Sequence, residues 1–285
     1  LFTILIFIGL MLYKDYGISI DEKINRYNGL VNLKYLFEFF SIPTNNDLFN
    51  NIENLSDYAD KYYGAVFEIL NVFFIEILLK KNEINEIFFL RHLLNHFIFI
   101  ISLIFFFLIC QEIFKNKILS TFSLLLLYST PRIFANSFYN GKDLVFLSLF
   151  IIMTYFSIKC LNKLNYKNLF YFSIFFALAA NLRMIALFVP FLLIFFIFFD
   201  SSVRNYSFSK ILKYILSLIF LSFFFLFITY PYLWESPIKN LIEILKLFSK
   251  FERWDLKVFY LGEFYQAKNL PWHYLFVSIF ATTPL

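Results

Sequence analysis

The sequence predicts an all-α fold, a polytopic transmembrane helical bundle with an interfacial helix in its first external loop. Three observations predict it. The 285 residues are 60% hydrophobic and only 16% charged, with a mean hydropathy of +0.70. That is more apolar surface than one soluble core of this size hides, so lipid must cover the remainder. Apolar stretches recur along the whole chain, and the remaining charges alternate between short basic loops and long acidic ones. The 45 Phe read as replacements for Leu against lipid rather than as an aromatic box.

Taken in order, apolar stretches mark spans near 1–13, 88–110, 118–131, 144–159, 169–182, 184–200, 211–230 and 274–285. Several fall short of the roughly 20 residues a span needs, so their edges must borrow flanking Tyr, Asn and Ser. The segment from Ala65 to Leu79 is apolar but carries Glu68 and Glu76. Its charges and its length favour a helix lying in the interface, or re-entrant. Gly is rare, Pro sits mostly at loop edges and nothing suggests strands. The chain begins at Leu1 and ends inside an apolar run, so further helices are expected beyond its C-terminal end.

Orientation follows from the basic loops. With residue 1 inside, the cytoplasmic loops hold Lys115 and Lys117, then Lys159, Lys163 and Lys167, then Arg204, Lys210 and Lys213, opposed only by Glu112 and Asp200. The segments 14–87 and 231–273 fall on the other face and hold 17 of the 20 acidic residues. A transporter would more often place polar groups at mid-membrane. Here the charged exceptions within the spans, Arg91, Asp143 and Arg183, all lie at predicted external ends.

Several chemistries are excluded. The formal charge of +5 is scattered through loops, which is no nucleic-acid face. Cys110 and Cys160 sit at cytoplasmic helix ends, so neither a disulfide nor a metal spacing is expected. His92 and His96 are four residues apart but have no evident third ligand, and His273 does not complete a zinc set. No Gly-rich phosphate loop and no serine elbow is present.

Three polar groups remain. Asp15-Tyr-Gly-Ile-Ser-Ile-Asp21-Glu22 places adjacent carboxylates just outside the first span, where they suit a general base or a divalent ion. Ser19 and Glu22 also have the spacing of a capping box. Asn136-Ser-Phe-Tyr-Asn-Gly-Lys142-Asp143 sets a cation and a carboxylate where the chain re-enters lipid, as site groups or as anchor and cap. Arg183, in a tight turn, needs an anionic partner from elsewhere, such as a lipid phosphate. Arg91 invites the same reading, and headgroup anchoring is the alternative for both.

In sequence order, Asp15-x-Gly17 with Asp21-Glu22, Lys61-Tyr-Tyr-Gly-x-x-Phe-Glu68, and Arg91 opening a span resemble the first half of a C-class glycosyltransferase. The similarity continues in Asn140-Gly-Lys142-Asp143, Asn181-Leu-Arg183, Tyr230-Pro-Tyr-Leu-Trp234-x-x-Pro237, Leu270-Pro-Trp-His-Tyr274 and Ala281-Thr-Thr-Pro284. The group resembled is glycosyltransferase family 39, the dolichyl-phosphate-mannose protein mannosyltransferase-like membrane enzymes and their bacterial relatives. The resemblance implies one transmembrane domain over residues 1–285, in a bacterial inner membrane with its site facing the periplasm. It implies transfer of a sugar, with inversion, from a polyprenyl-phosphate donor to an extracytoplasmic acceptor on lipid, polysaccharide or protein.

By the same resemblance, Asp21 is the catalytic carboxylate, supported by Glu22. Asp143 is the second acidic position, which shares a divalent ion (Mg or Mn) with Asp21 or positions the acceptor. Lys142, Arg183 and Arg91 neutralise the departing lipid phosphate, and Tyr63 and Gly64 line the mouth of the cavity. The chain departs from the mannosyltransferase pattern at Tyr62-Tyr63-Gly64, where a His-Pro-Pro element is typical, so the sugar and the acceptor do not carry over. Two other readings share parts of this pattern. A transporter or flippase of lipid-linked sugars needs the cations without the carboxylate pair, and a membrane scaffold needs only anchors and caps.

Overall fold

A computed structural model describes residues 1–43, 47–199, 206–249 and 256–282. Asp200, Arg204, the Thr283-Pro284 end of the last motif and the end of the 274–285 stretch lie outside the described residues. The chain forms two compact units, Leu1–Pro237 and Ile238–Leu285.

In the first unit, α1 (Phe2–Leu12) leads to α2 (Ile20–Phe39) and α3 (Val66–Val72), which runs on as a π-helical turn over Phe73–Leu78. Then come α4 (Ile84–Phe114), α5 (Lys117–Ser129), α6 (Pro131–Tyr139), α7 (Asp143–Asn162), α8 (Tyr166–Leu182), α9 (Phe188–Phe199) and α10 (Phe208–Thr229). Neighbouring helices pack in series, α4 on α7, α7 on α8 and α8 on α10. The contact face of α8 carries fully buried Ala177, Ala179 and Ala180, small residues that let helices in lipid approach closely. Leu5 of α1 packs with Phe99, Leu103, Leu124 and Leu144 in one core.

The eight apolar stretches do not give eight spans. Among the described residues, α4, α7 and α10 are long and apolar enough to cross a membrane, and the α5–α6 pair makes a fourth if counted as one broken span. The chain is an all-α, multi-pass integral membrane protein. At 31 residues, α4 is roughly 46 Å long, more than the hydrocarbon layer requires, so its polar first turns reach beyond the apolar zone. The stretch at 118–131 ends early because Pro131 has no N–H to continue the ladder and holds Thr130 extended, with ψ 114°. The chain bends there by 63° into α6.

The acidic segment after α1 is more helical than its composition suggests. Its α2 starts at a capping box in which Ser19 N–H donates to Glu22 Oε2 at 2.7 Å. It crosses α3 at Gly29, where a Cβ would lie 2.7 Å from the Glu68 carbonyl oxygen. The helix expected over 65–79 is present, but its two carboxylates, Glu68 and Glu76, are buried. Glu76 takes Arg26 on both oxygens, with Nε at 2.8 Å, and Glu68 takes Arg91. Leu70, Phe74 and Leu78 point outward instead. This segment is amphipathic in reverse, because each carboxylate finds an arginine inside the protein.

The second unit holds α11 (Pro237–Ser249), a hairpin of β1 (Lys257–Tyr260) and β2 (Glu263–Gln266), and α12 (Tyr274–Thr282). The hairpin corrects the expectation that no strands form. Its two-residue turn, Leu261-Gly262, has φ of 50° and 92°, the twist that suits antiparallel strands.

Candidate active site

The site builds from the start of α7. Asn140 Oδ1 accepts the N–H groups of Lys142 at 3.3 Å and Asp143 at 2.8 Å, capping α7 and fixing both side chains at its first turn. Asp143 is exposed and receives Arg183, whose Nε donates to Oδ1 at 2.9 Å and whose Nη2 reaches the same oxygen. The anionic partner that Arg183 lacks in local sequence is therefore Asp143, 40 residues away.

Lys142 lies with its ammonium 3.9 Å from the centre of the Tyr63 ring, a cation–π contact. Burial, then the Arg183 charge, push its pKa below the ordinary lysine value, while Asp143, Asp21 and Asp60 pull the other way. Of these groups, Arg183 and Asp143 are joined directly, and Asp21 and Asp60 act on the ammonium through their charge.

Asp21 and Glu22 behave differently despite being adjacent. Asp21 is exposed and makes no hydrogen bond or ion pair among the described residues. Glu22 is 2% exposed, and both its oxygens are committed, Oε2 to Ser19 N–H and Oε1 to His92 Nε2 at 2.9 Å. The capping-box reading of Glu22 holds, and it leaves the neighbouring Asp21 carboxylate free.

Arg91, expected beside a phosphate, is 3% exposed and bonded through Nη2 to Glu68. Its Nε and Nη1 are buried and find no partner among the described residues. Asn95, one turn on, donates to Phe138 O at 2.7 Å. Gly141 packs over this pair, because a Cβ there would sit 3.3 Å from Glu68 Oε1 and 3.5 Å from Asn95 Oδ1. Arg91 therefore stands behind the Lys142 loop rather than at its surface.

Tyr63 and Gly64 are positioned through Asn181. A Cβ at residue 64 would overlap the Asn181 carbonyl oxygen, so only glycine allows this approach. Asn181 Oδ1 accepts Val66 N–H at 3.0 Å, and its Nδ2 donates to Thr229 O at 2.7 Å, tying α3, α8 and α10 together two residues before Arg183. Tyr230 OH donates to Tyr62 O at 2.5 Å. An apolar cavity of about 610 Å³ opens beside this junction, lined by Phe39, Val66, Leu70, Phe227, Thr229 and Trp234 among others.

The divalent ion expected between Asp21 and Asp143 would have to share Asp143 with an arginine. Arg183 occupies Asp143, and no three His, Cys, Asp or Glu side chains among the described residues gather as a metal site. Sequence reasoning missed His92 as Glu22's partner, Glu68 as Arg91's and Asn181 as the clasp. The His92–Glu22 and Arg91–Glu68 pairs span 70 and 23 residues, separations no local pattern betrays.

The fold is that of a multi-pass helical membrane protein with paired charges at its helix ends. A profile of the dolichyl-phosphate-mannose-protein mannosyltransferase family matches residues 70–230. This is more than half of the chain, and the chain belongs to that family. The matched stretch holds Arg91, Lys142, Asp143, Arg183 and Asn181, whereas Asp21, Glu22, Tyr63 and Gly64 precede it. No curated protein and no solved structure matches the chain.

Proposed function

We propose that this membrane glycosyltransferase moves a sugar from a polyprenyl-phosphate-linked donor to an acceptor hydroxyl outside the cytoplasm, with inversion at the anomeric carbon. The observation that carries the reading is the half-buried Lys142 ammonium, set on the Tyr63 ring at the helix start that also carries the Asp143–Arg183 pair. Lys142 and Arg183 side by side can bind an arriving phosphate by charge-assisted hydrogen bonds. The apolar cavity beside Asn181 suits the carrier's hydrocarbon chain, because both cavity walls, Val66 and Thr229, hang from the residue that also fixes the Arg183 turn.

In this reading Asp21, the free carboxylate, takes the proton of the acceptor hydroxyl. The acceptor oxygen forms its bond to the anomeric carbon as the bond from that carbon to the phosphate oxygen breaks. The electron pair leaves with the polyprenyl phosphate, and Lys142 and Arg183 stabilise the charge that develops there. Asp143 holds Arg183 at the correct height. Arg91 acts from behind, through Glu68, to keep the Lys142 loop in place. The basic loops and the acidic segments favour a site on the non-cytoplasmic face, which in a bacterial relative of the family is the periplasmic side of the inner membrane.

Transfer of radiolabelled sugar from a polyprenyl-phosphate donor, by membranes carrying the protein, tests the reading. Asp21→Asn and Asp143→Asn should each lower transfer about a hundredfold or more while expression is unchanged. Unchanged transfer in both variants sinks it. Movement of labelled lipid across liposomes without glycosylated product favours a flippase instead.

A further inference from the structure

His92 is fully buried on α4, in a helix otherwise rich in Phe, Leu and Ile. A buried imidazole is unfavourable unless its nitrogens are hydrogen-bonded, and this one bonds at both ends. Nδ1 lies 3.2 Å from the carbonyl oxygen of Tyr13, just past the end of α1, and Nε2 lies 2.9 Å from Glu22 Oε1, in the first turn of α2. Both partners accept hydrogen bonds. The contacts are complete only when the His92–Glu22 pair carries two protons, one on Nδ1 and one between Nε2 and the carboxylate.

The chain between these two contacts, residues 14–21, ends on Asp21. Glu22 spends its other oxygen on Ser19 N–H, so the turn Ser19–Glu22 closes on itself and is bolted to α4 through His92. Nothing else among the described hydrogen bonds ties the first turn of α2 to another helix. Asp21, which has no bond of its own, inherits its position from this bolt. We propose that His92 is a positioning residue, holding Asp21 against the Lys142 cluster by clamping Glu22. The proposal rests on the reading of Asp21 as the proton acceptor.

Gln and Asn separate the two halves of the contact. His92→Gln puts an amide N–H near the place of Nε2 and keeps the Glu22 bond. His92→Asn reaches only the place of Nδ1 and keeps the Tyr13 bond. With a polyprenyl-phosphate sugar as donor, His92→Ala and His92→Asn should each lower kcat about ten- to a hundredfold, the range a small misplacement of a reacting group produces. The donor KM should stay within about twofold, and His92→Gln should recover most of the loss. A helix-packing role alone would instead lower the amount of folded protein and would not distinguish Gln from Asn.

Hydrogen exchange over residues 19–23 gives a readout that needs no activity. It should quicken in the Ala and Asn variants and return toward the wild-type rate in Gln. If the wild-type protein transfers no sugar but the exchange pattern holds, the clamp stands and the transferase reading falls. If exchange and kcat are the same in all three variants as in the wild type, or if Asn rescues as well as Gln, the clamp is overturned.

Discussion

Arg183 and Asp143 meet at one carboxylate oxygen, with the arginine Nε 2.9 Å from Asp143 Oδ1 and its Nη2 on the same atom. The other oxygen, Oδ2, takes only a long contact from Asn140 Nδ2 at 3.4 Å. The pair sits where two helices end, and its side chains remain 42% and 54% exposed. An ion pair this open contributes little to folding, so its placement points to work done on a ligand.

Arg183→Gln should therefore change the unfolding free energy by no more than about 1 kcal/mol. It should lower kcat/KM for a polyprenyl-phosphate donor about a hundredfold, as expected when a donor facing developing charge is removed. Thermal melts in detergent together with transfer kinetics check both halves. A large loss of stability would make the pair architectural.

Asp21 and Glu22 should differ in their effect on stability. Asp21→Asn should leave melting unchanged and lower kcat by about two orders of magnitude or more. Glu22→Ala removes the partner of a buried imidazole and one half of a capping box, so it should destabilise the protein by about 1–3 kcal/mol. Measuring melting and kcat for each variant on the same preparation separates chemistry from scaffold.

Lys142 gives a pH dependence. Its pKa is lowered by burial and by Arg183, so the charged form is complete below that value and is lost as pH rises through it. The donor KM should then climb on the alkaline side at a pH below the ~10.4 of a free lysine. Lys142→Arg should move that limb to higher pH, because a guanidinium stays charged. A KM flat to pH 10 in the wild type would remove Lys142 from phosphate binding.

Glu68 and Arg91 test the buried scaffold. Their side chains are 6% and 3% exposed, and removing one partner of such a pair leaves an uncompensated charge at a cost of about 3–5 kcal/mol. Arg91→Met or Glu68→Met alone should lower the melting temperature sharply, and the double Met variant should recover much of it. Equal losses in single and double variants would mean that the two residues do not depend on one another.

The class of the protein was legible in the sequence because hydropathy is a bulk property, and so was the helix at 65–79. At the start of α7 the sequence points to Asp143 as the cap, whereas Asn140, three residues earlier, accepts the N–H groups of Lys142 and Asp143. The stretch at 118–131 does form a helix, but the 63° bend after it was not foreseen, though the Thr130-Pro131 step that causes it stands in the sequence. The arginine partners were not legible in principle. Glu76 and Arg26 are 50 residues apart, and a carboxylate on an apolar segment reads as facing water until a guanidinium is found to meet it inside. The Leu261-Gly262 turn was missed for a related reason, since leucine rarely supplies a positive φ.

The reversed amphipathicity of the 66–78 segment has a consequence for ionic strength. Counterions screen charges they can approach, over about 8 Å at physiological salt. They reach Arg183 and Asp143, but they do not reach Glu68, and they reach Glu76 only from the side of the partly exposed Arg26. Added salt should therefore weaken the pull of the surface cations on an anionic headgroup while leaving the walls around it unmoved. Electrolyte concentration becomes a dial that acts on attraction and spares architecture.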